Sequence, residues 1–445
     1  MLYDPQSPER TVIAEPTPVV PTPHGDLRDA DAVVATVLSC IDRLLEGLPP
    51  AERGAVRGIG ITSLSEEMVL LDASGRSISP MPAWYTGVAA EAARGEGIDP
   101  SFSWSKLRWA SEQYAAEDVR GVTTLNSYIA AALGDDSDFA IDDSHASRTG
   151  FFDVGAATWQ PQLFEATGWP ASLLPPLVPA GSAVSTLASP LAERWGIPGT
   201  AAIVLGGHDH FCGAFAVGIR SEGQLYVSAG TSEAHCLIVD ELPQGLLPEQ
   251  VGAGRFVDGE HFYLHRQLPS GHLYRQWTGL LGLADESSRA REAEELRAEP
   301  LGSLGTTVVP GFGTDVRSSV FDLAPDAGRR TLLRALLEGL ACAALLVDRE
   351  LIALTGRPIT EVVASGIPAA SPVWQQLRAN LAVAPLSVSS EDEAPALGAA
   401  LLCERVATGT EGRPSALQRV PADPASAAEY GALYARFEQK LSTLR

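Results

Sequence analysis

The chain has 445 residues, of which 45% are apolar and 20% charged; this excludes disordered and fibrous classes and allows two or three domains. Its 32 basic and 55 acidic residues give a net charge of −23, so its surface repels nucleic-acid phosphates and anionic lipid. We therefore expect no nucleic-acid partner and no membrane partner.

The lysines exclude one nucleotide-binding motif, and the cysteines indicate the redox environment. The only two lysines, Lys106 and Lys440, do not follow a glycine, so the sequence holds no P-loop of the form GxxxxGK[ST] and must hold any nucleotide phosphate by another device. The five cysteines are scattered, odd in number and without a CxxC pair, which favours a reducing compartment. Since the sequence shows neither a signal-peptide pattern nor a membrane-length apolar run, it predicts a cytoplasmic protein.

The first half of the chain mixes helices and strands. After a proline-rich opening, residues 31–48 carry apolar side chains at helical spacing, which predicts an amphipathic helix. Residues 56–62 and 68–71 are predicted strands. A further apolar strand over 201–205 runs into a Gly-Gly turn and then His and Asp at 206–209.

The second half repeats this alternation. The remaining predicted elements are a hairpin of 225–228 and 234–239, helix 331–354, strand 361–364, helix 372–381, strand 385–388 and helix 394–408. Alternating strands and helices in both halves predict two α/β domains, residues 1–220 and 221–445, with a cleft between them.

Asp209 is the sharpest candidate for chemistry. An acid directly after an apolar strand lies at the carboxyl end of a sheet, where α/β proteins bind ligands, and it can take a proton from a substrate hydroxyl. The alternative is an N-cap for a helix starting near Phe211. The flanking His208 and His210 also raise a metal-site hypothesis, although no third ligand is evident in the sequence.

Two short turns in the second half are candidates for binding a nucleotide. Glycine followed by two hydroxyl residues offers close approach and several donors to a phosphate, but the same sequence also suits an ordinary hairpin turn. A strand-to-helix loop can hold a base, or can serve only for capping. The residues concerned are Gly230, Thr231 and Ser232 in the first turn, and Ser365, Gly366 and Ser371 in the second.

Three clusters in the first half are candidates for the other substrate. Trp84 and Trp104 with Lys106 can stack on and bond a sugar-like ligand, or can belong to the core. The polar run 144–150 fits a binding loop or a solvated turn. Glu66 follows a predicted strand, where surface acids are also common.

Taken in order, these segments resemble the FGGY carbohydrate kinase family along nearly the whole chain. In the first half the resemblance rests on Gly60-Ile-Thr-Ser63, Met68 to Asp72, Trp84, Ser144 to Asp153, and Gly206-Gly207-His208-Asp209 with Gly213 and Gly218. In the second half it rests on Ser228-x-Gly230-Thr231-Ser232, Glu338-Gly339, Gly366 with Ser371-Pro372-x-Trp374-Gln375, and Glu393-x-x-Ala396-Leu397-Gly398-Ala399-Ala400.

The resemblance implies two actin-like, ribonuclease-H-like domains with a catalytic cleft between them. It implies transfer of the ATP γ-phosphoryl group to a hydroxyl of a small sugar or polyol, with Mg²⁺ on the phosphates. By role, the implied site residues are Asp209 as general base; Trp84, Glu66, Arg148, His208 and His210 on the sugar; and Gly230, Thr231, Ser232, Ser365, Gly366 and Ser371 on the nucleotide.

The sequence departs from the family at three places. Trp84 is followed by Tyr85-Thr86-Gly87 rather than by an acid and a base, and Ser365 stands where glycine is usual. Residues 1–4 resemble the tail of the family's second strand, so the first strand and its phosphate hairpin are absent from 1–220. We hypothesise that a misplaced start removed about 15–20 residues, judged from strand and hairpin lengths.

The sequence leaves other functions open. If the N-terminus is genuine, the competing hypothesis is a sugar- or nucleotide-binding pseudokinase that has lost phosphoryl transfer. A metal-dependent hydrolase using His208 and His210 is the third class. The sequence does not identify the sugar, and it leaves open whether the chain forms a homodimer.

Overall fold

The chain forms two compact units. The computed structural model describes residues 1–7, 9–23, 25–78, 80–89, 91–93, 97–135, 139–230, 232–246, 251–283, 296–311, 317–366 and 371–444. Unit 1 contains Met1–Gly218, Asp240–Tyr263 and Glu393–Pro414, and unit 2 contains Ile219–Val239, Leu264–Asp392 and Ser415–Arg445. The chain thus first enters unit 2 close to the predicted boundary at Ser221, and the roles assigned to 1–220 and 221–445 stay predictions.

The helices of the described residues include each of those predicted from the sequence. The α-helices are α1 (Ala30–Glu46), α2 (Pro50–Arg53), α3 (Ser103–Ala110), α4 (Leu125–Leu133), α5 (Asp143–Ala146), α6 (Pro161–Glu165), α7 (Ser189–Trp195), α8 (Asp209–Ala216), α9 (Ser270–Leu280), α10 (Arg329–Thr355), α11 (Pro372–Leu381), α12 (Ala394–Thr408) and α13 (Ala427–Ser442). Short 3₁₀ helices lie at Gly87–Ala89, Glu91–Ala93, Ala171–Leu173, Ser303–Gly305 and Pro424–Ser426.

The strands likewise include every predicted one. They are β1 (Val20–Thr22), β2 (Gly25–Arg28), β3 (Gly58–Ser63), β4 (Met68–Leu71), β5 (Met81–Pro82), β6 (Gly121–Thr124), β7 (Ile141–Asp142), β8 (Phe152–Asp153), β9 (Thr158–Trp159), β10 (Leu177–Val178), β11 (Ser182–Thr186), β12 (Ala202–His208), β13 (Gln224–Ala229), β14 (Glu233–Val239), β15 (Gly252–Arg255), β16 (Phe262–Leu268), β17 (Thr307–Val309), β18 (Ser319–Phe321), β19 (Glu361–Ser365), β20 (Leu386–Ser389) and β21 (Leu417–Val420).

In unit 1, a sheet with the order β11-β12-β3 positions the candidate site. Strands β12 and β3 are parallel, so their carboxyl ends meet at one edge, where Ser63 pairs with His208. Strand β4 pairs with β6 beside this sheet, and α1 and α4 contribute their apolar faces to the core below it. The apolar spacing that predicts α1 therefore reflects burial of one helix face.

Glycines let α12 pack directly on this sheet. A Cβ at Gly398 would lie 1.9 Å from the Cys212 carbonyl oxygen, and one at Gly60 would lie 2.2 Å from the Ala399 carbonyl oxygen. Real side chains do not fit at such distances, so both positions require glycine for backbone contact. The small residues of α12 are thus explained by its contacts with β3 and α8.

Unit 2 is built on a larger mixed sheet. The strand order is β16-β14-β13-β19-β20-β21, where β16 belongs to unit 2 from Leu264 on. Strands β13, β19 and β20 are parallel to one another, β14 is antiparallel to β13, and β21 is antiparallel to β20. The β13–β14 pair confirms the predicted hairpin. Helix α10 is largely buried along its middle, which explains why its sequence is apolar on more than one face.

The sequence contains no apolar run long enough to span a membrane. Within the described ranges, no helix combines the length and the apolar content needed to cross a membrane.

Candidate active site

Asp209 lies where strand β12 passes into helix α8. The strand continues through His208, and Asp209 is the first residue of the helix, with His208 in the N-cap position. Two predictions are therefore wrong: Gly206 and Gly207 do not form a turn, and Asp209 is not the N-cap. Glycine at 207 is still required, because its φ is +116° and a Cβ would lie 2.7 Å from Ser144 Oγ.

The Asp209 carboxylate is held by one of its oxygens. His208 Nδ1 lies 2.7 Å from Oδ1, and the backbone N–H of His210 donates to the same oxygen at 2.6 Å. No described residue donates a hydrogen bond to Oδ2, and the side chain keeps 27% of its exposure. One oxygen is thus fixed in place and the other is available to a proton donor.

The charge state of Asp209 suits proton abstraction. Burial raises its pKa, but the imidazoles of His210 and His208 outweigh that effect, so the pKa lies below its ordinary value. The amino terminus of α8 favours the anion as well. Burial acts on His210 in the opposite sense, lowering the pKa of that imidazole. At neutral pH Asp209 is therefore an ionised carboxylate.

Glu66 and Arg148 form a buried ion pair in the same unit. Arg148 Nε lies 2.8 Å from Glu66 Oε1, and neither side chain is more than 9% exposed. Burial opposes ionisation of Glu66, yet the guanidinium holds the pKa of this carboxyl far below its usual range. The charges of Glu66 and Asp209 also act on each other, which places both acids in one electrostatic field.

Sequence reasoning missed a buried network behind Asp209. Asp142 Oδ2 lies 2.7 Å from His145 Nδ1, Ser144 Oγ donates to Asp142 Oδ1 at 2.5 Å, and the amide of Asn126 donates to Asp142 Oδ2 at 2.9 Å. Burial opposes this ionisation too, but these partners, His145 first, lower the pKa of Asp142 to about 2. Ser144 Oγ also accepts from the His208 N–H at 2.9 Å, so the network supports the end of β12.

Asp143 differs from its neighbour Asp142. Its carboxylate accepts a hydrogen bond from the Ala180 N–H at 2.9 Å, but burial raises its pKa to about 6. The run 144–150 that follows is almost wholly buried, so the solvated-turn interpretation of that run is wrong.

Trp84 is held through its backbone rather than its ring. The Trp84 N–H donates to Glu67 Oε1 at 3.1 Å, and Glu67 receives two hydrogen bonds from Arg28, at 2.8 and 3.1 Å. The indole ring is half-buried and meets Tyr85 edge-on at 5.8 Å. A buried acid–base pair thus does lie beside Trp84, supplied by the end of β2 and by the residue before β4 instead of by the residues after Trp84.

Trp104 and Lys106 belong to the core. The Trp104 ring is 2% exposed and donates its N–H to the Leu163 carbonyl at 2.9 Å. Lys106 Nζ donates hydrogen bonds to the carbonyls of Ser101 and Phe102, and burial lowers its pKa to about 8. The hypothesis that these two side chains contact a sugar is wrong, because neither exposes its polar atom.

In unit 2, the two candidate nucleotide turns lie side by side. Gly230 N–H donates to the Ser232 carbonyl at 2.9 Å across the tip of the β13–β14 hairpin, while Thr231 lies outside the described residues. Gly366 has a φ of +105°, and a Cβ there would lie 2.1 Å from the Ala229 carbonyl oxygen. The second turn therefore touches the base of the first, backbone against backbone.

The serines near these turns have different surroundings. Ser365 is buried, and its hydroxyl lies 2.6 Å from Tyr226 Oη on the adjacent strand β13. That bond explains how a side chain is accommodated where the family usually has glycine. Ser371 is in the N-cap position of α11, as predicted, but its hydroxyl caps no backbone N–H.

The metal hypothesis for His208 and His210 gains no third ligand. In the part of the chain that the structure describes, no group of three or more His, Cys, Asp or Glu side chains is placed to hold a metal ion.

Known families and proteins resemble the chain over most of its length. Residues 86–216 match the model for the FGGY family of carbohydrate kinases, N-terminal domain, and residues 225–406 match its C-terminal domain. A xylulose kinase of Escherichia coli (strain K12) is 25% identical over 422 residues, covering 88% of this chain and 84% of that protein. An L-fuculokinase of Salmonella typhi is 24% identical over 392 residues, covering 83% and 81%.

Solved structures share the fold. A xylulose kinase from Rhodospirillum rubrum has a TM-score of 0.87 at 21% identity, covering 97% of this chain and 93% of that one. A gluconate kinase from Lactobacillus acidophilus has a TM-score of 0.84 at 19% identity, covering 97% and 92%. These matches confirm the predicted two-domain actin-like α/β fold, while the interdomain cleft stays a prediction.

Proposed function

Since the chain belongs to the FGGY family of carbohydrate kinases, we propose that it transfers the γ-phosphoryl group of ATP to a hydroxyl of a small sugar or polyol, with Asp209 as the general base. The observation that carries the proposal is the ionised, partly exposed Asp209 carboxylate at the end of β12, whose Oδ2 receives no hydrogen bond from the described residues. The five free cysteines support a reducing, cytoplasmic setting.

In the proposed reaction, Asp209 Oδ2 takes the proton of the acceptor hydroxyl. The hydroxyl oxygen bonds to the γ-phosphorus as the bond between that phosphorus and the β,γ-bridging oxygen breaks, and ADP leaves. A placed general base is worth about 10²–10⁴-fold in rate. The rest of phosphoryl transfer is positioning and charge stabilisation.

The sugar contacts are proposed for unit 1. Ionised Glu66 accepts hydrogen bonds from sugar hydroxyls while Arg148 holds it in place, as the 2.8 Å pair supports. Trp84 offers an apolar ring face. His210 borders Asp209, and His208 orients Asp209 Oδ1.

The nucleotide contacts are proposed for unit 2. Gly230, Thr231 and Ser232 bind the phosphates through backbone N–H groups and hydroxyls, and Ser365, Gly366 and Ser371 line the adenosine. Mg²⁺ fits as an ion held mainly by phosphate oxygens and water, because the described residues offer no group of three acidic or imidazole ligands. When bound, it neutralises phosphate charge.

A sugar-panel kinase assay tests the proposal. The chain is incubated with ATP and ketoses, aldoses, polyols and sugar acids, beginning with xylulose, fuculose and gluconate because relatives are named for them. ADP release is measured for wild type, for Asp209→Asn, and for Asp72→Asn, a partly exposed carboxylate of the same unit. We expect turnover with at least one acceptor, a fall in kcat of about 10²–10⁴-fold in Asp209→Asn, and wild-type rates in Asp72→Asn.

Two results count against this proposal. Asp209→Asn turnover within about tenfold of wild type would remove Asp209 as the base, since general-base loss costs more. Sugar and ATP binding without turnover in the wild type would favour the binding-protein alternative. Thermal unfolding of each variant separates chemistry from misfolding.

A further inference from the structure

Four buried charges in unit 2 form a closed group that the proposed chemistry does not use. His235 Nδ1 lies 2.7 Å from Asp348 Oδ1, its Nε2 lies 3.0 Å from Glu233 Oε1, and Arg378 Nη1 lies 3.2 Å from the same Glu233 oxygen. None of the four side chains is more than 6% exposed. We call Glu233, His235, Asp348 and Arg378 the buried quartet.

The buried quartet is balanced in charge. Burial disfavours the ionised forms, but Asp348 and Glu233 raise the pKa of His235, and Arg378 and His235 lower the pKa of Glu233 to about 2. Two anions therefore face two cations. Burying four charges is expensive unless each has a partner, and such a group stabilises less than apolar packing of the same volume. Such a group can instead hold the elements that carry its members in one arrangement.

The members of the buried quartet lie on three secondary-structure elements. Glu233 and His235 are two residues apart on β14, so both point to the same face of the sheet. Asp348 belongs to α10 and Arg378 to α11. The start of β14 is thus tied to both helices by ion-paired hydrogen bonds.

The start of β14 is also the end of the proposed phosphate hairpin. Glu233 directly follows Ser232 and pairs across the hairpin with Ala229. Ala229 in turn supports Gly366, the turn proposed for adenosine. A shift at Glu233 would therefore move backbone donors of the hairpin.

We propose that the buried quartet is a positioning device that holds Gly230 and Ser232, the residues on either side of the hairpin tip, in place for phosphate binding. The assignment rests on the proposed function, because it takes the hairpin as the ATP phosphate site. None of the four residues touches ATP. They act through the backbone of β14.

Asp348→Asn tests this with little change in shape. The amide oxygen still accepts from His235, but the quartet loses one charge. Glu338→Gln is the matched control, since Glu338 is also a buried carboxylate on α10, paired with Arg334 at 2.9 Å. Glu338 receives its other hydrogen bonds from Gly302 N–H and Ser303 Oγ, neither of which belongs to the hairpin.

The first readout is steady-state kinetics at fixed pH. We expect Asp348→Asn to raise KM for ATP by about tenfold, the ratio for a change of about 1.4 kcal/mol, and to leave KM for the sugar within about twofold. Glu338→Gln should leave both KM values within about twofold, even where it lowers the melting temperature. A purely structural role for the quartet would not separate the two substrates.

The second readout needs no turnover. Hydrogen exchange of peptides spanning 224–239 should be faster in Asp348→Asn than in wild type and unchanged in Glu338→Gln. If the wild type phosphorylates no sugar, the proposed function fails, while exchange still reports whether the quartet holds the hairpin. Unchanged hairpin exchange, or equal changes in both variants, would overturn the positioning role.

Discussion

Two ionic groups, one in each unit, consist of the same residue types but have different roles. In unit 1, Asp209 is held by His208 close to the Glu66–Arg148 pair, and this carboxylate keeps 27% of its exposure. In unit 2, every charge of the buried quartet meets an opposite charge, and none of its side chains is more than 6% exposed. The difference lies in whether one carboxylate oxygen is left for an outside partner.

This contrast teaches how the same chemistry gives reactivity or rigidity. A carboxylate with one fixed oxygen and one available oxygen can accept a proton from a substrate. A carboxylate whose charge is fully compensated in a dry interior can only hold its neighbours in place. Variants that unbalance each group test how far the contrast extends.

The largest stability effect is expected for Arg148→Met. It leaves Glu66 buried without the guanidinium that bonds it, and removing one member of a buried pair costs about 3–5 kcal/mol. Urea unfolding without substrate measures the loss. The double variant Glu66→Gln with Arg148→Met removes the uncompensated charge, so it should recover most of that energy. A double variant as unstable as the single one would contradict the ion-pair explanation.

A smaller effect is expected for Arg378→Met in the buried quartet. Glu233 loses one cation but keeps the hydrogen bond from His235 at 3.0 Å, so we expect a loss of about 2 kcal/mol by urea unfolding. The methionine keeps apolar contact with Trp374, over whose ring the guanidinium lies at 5.3 Å. A loss equal to that of Arg148→Met would show that the quartet has no such redundancy.

The smallest effect concerns Asp143, and it depends on pH. Its folded pKa of about 6 lies above the unfolded value, so its contribution to stability is present at low pH and is lost as pH rises through about 6. Asp143→Asn cannot ionise and should raise the free energy of unfolding by about 1–2 kcal/mol at pH 7.5, with a smaller gain at pH 4.5.

Asp142→Asn should change the free energy of unfolding in the opposite direction to Asp143→Asn. The pKa of Asp142 is lowered to about 2, so its stabilisation is present at neutral pH and is lost only as pH falls through that value. Urea unfolding at pH 7.5 should therefore show Asp142→Asn less stable than wild type. A gain in both variants would mean that burial dominates at both positions.

Much of the fold could be read from the sequence because local signals agreed with tertiary structure. Helix α12 begins and ends where predicted, since its small residues are set by backbone contact at Gly398. The Gly206-Gly207 prediction failed for the same physical reason. Two glycines usually mark a turn, but here they let a strand pass close to Ala399 and Ser144.

The candidate site was predictable only in part. Asp209 followed from its place after a strand, and the family resemblance supplied its role. The Asp142–His145 network and the buried quartet were not predicted, because Asn126 in the first and Asp348 and Arg378 in the second join the other members only through tertiary structure. Glu233 and His235 at alternate strand positions gave one local signal, a pair of polar residues on a buried face.

The placement of α12 has a consequence for biosynthesis. Residues 394–408 lie against β3 and α8, which the ribosome completes nearly two hundred residues earlier. The face of the β3–β12 sheet that binds α12 therefore stays exposed until the intervening segments have been synthesised. We therefore expect nascent unit 1 to bind chaperones. A fragment ending near Gly218 would expose that face permanently, so truncation there should yield aggregates.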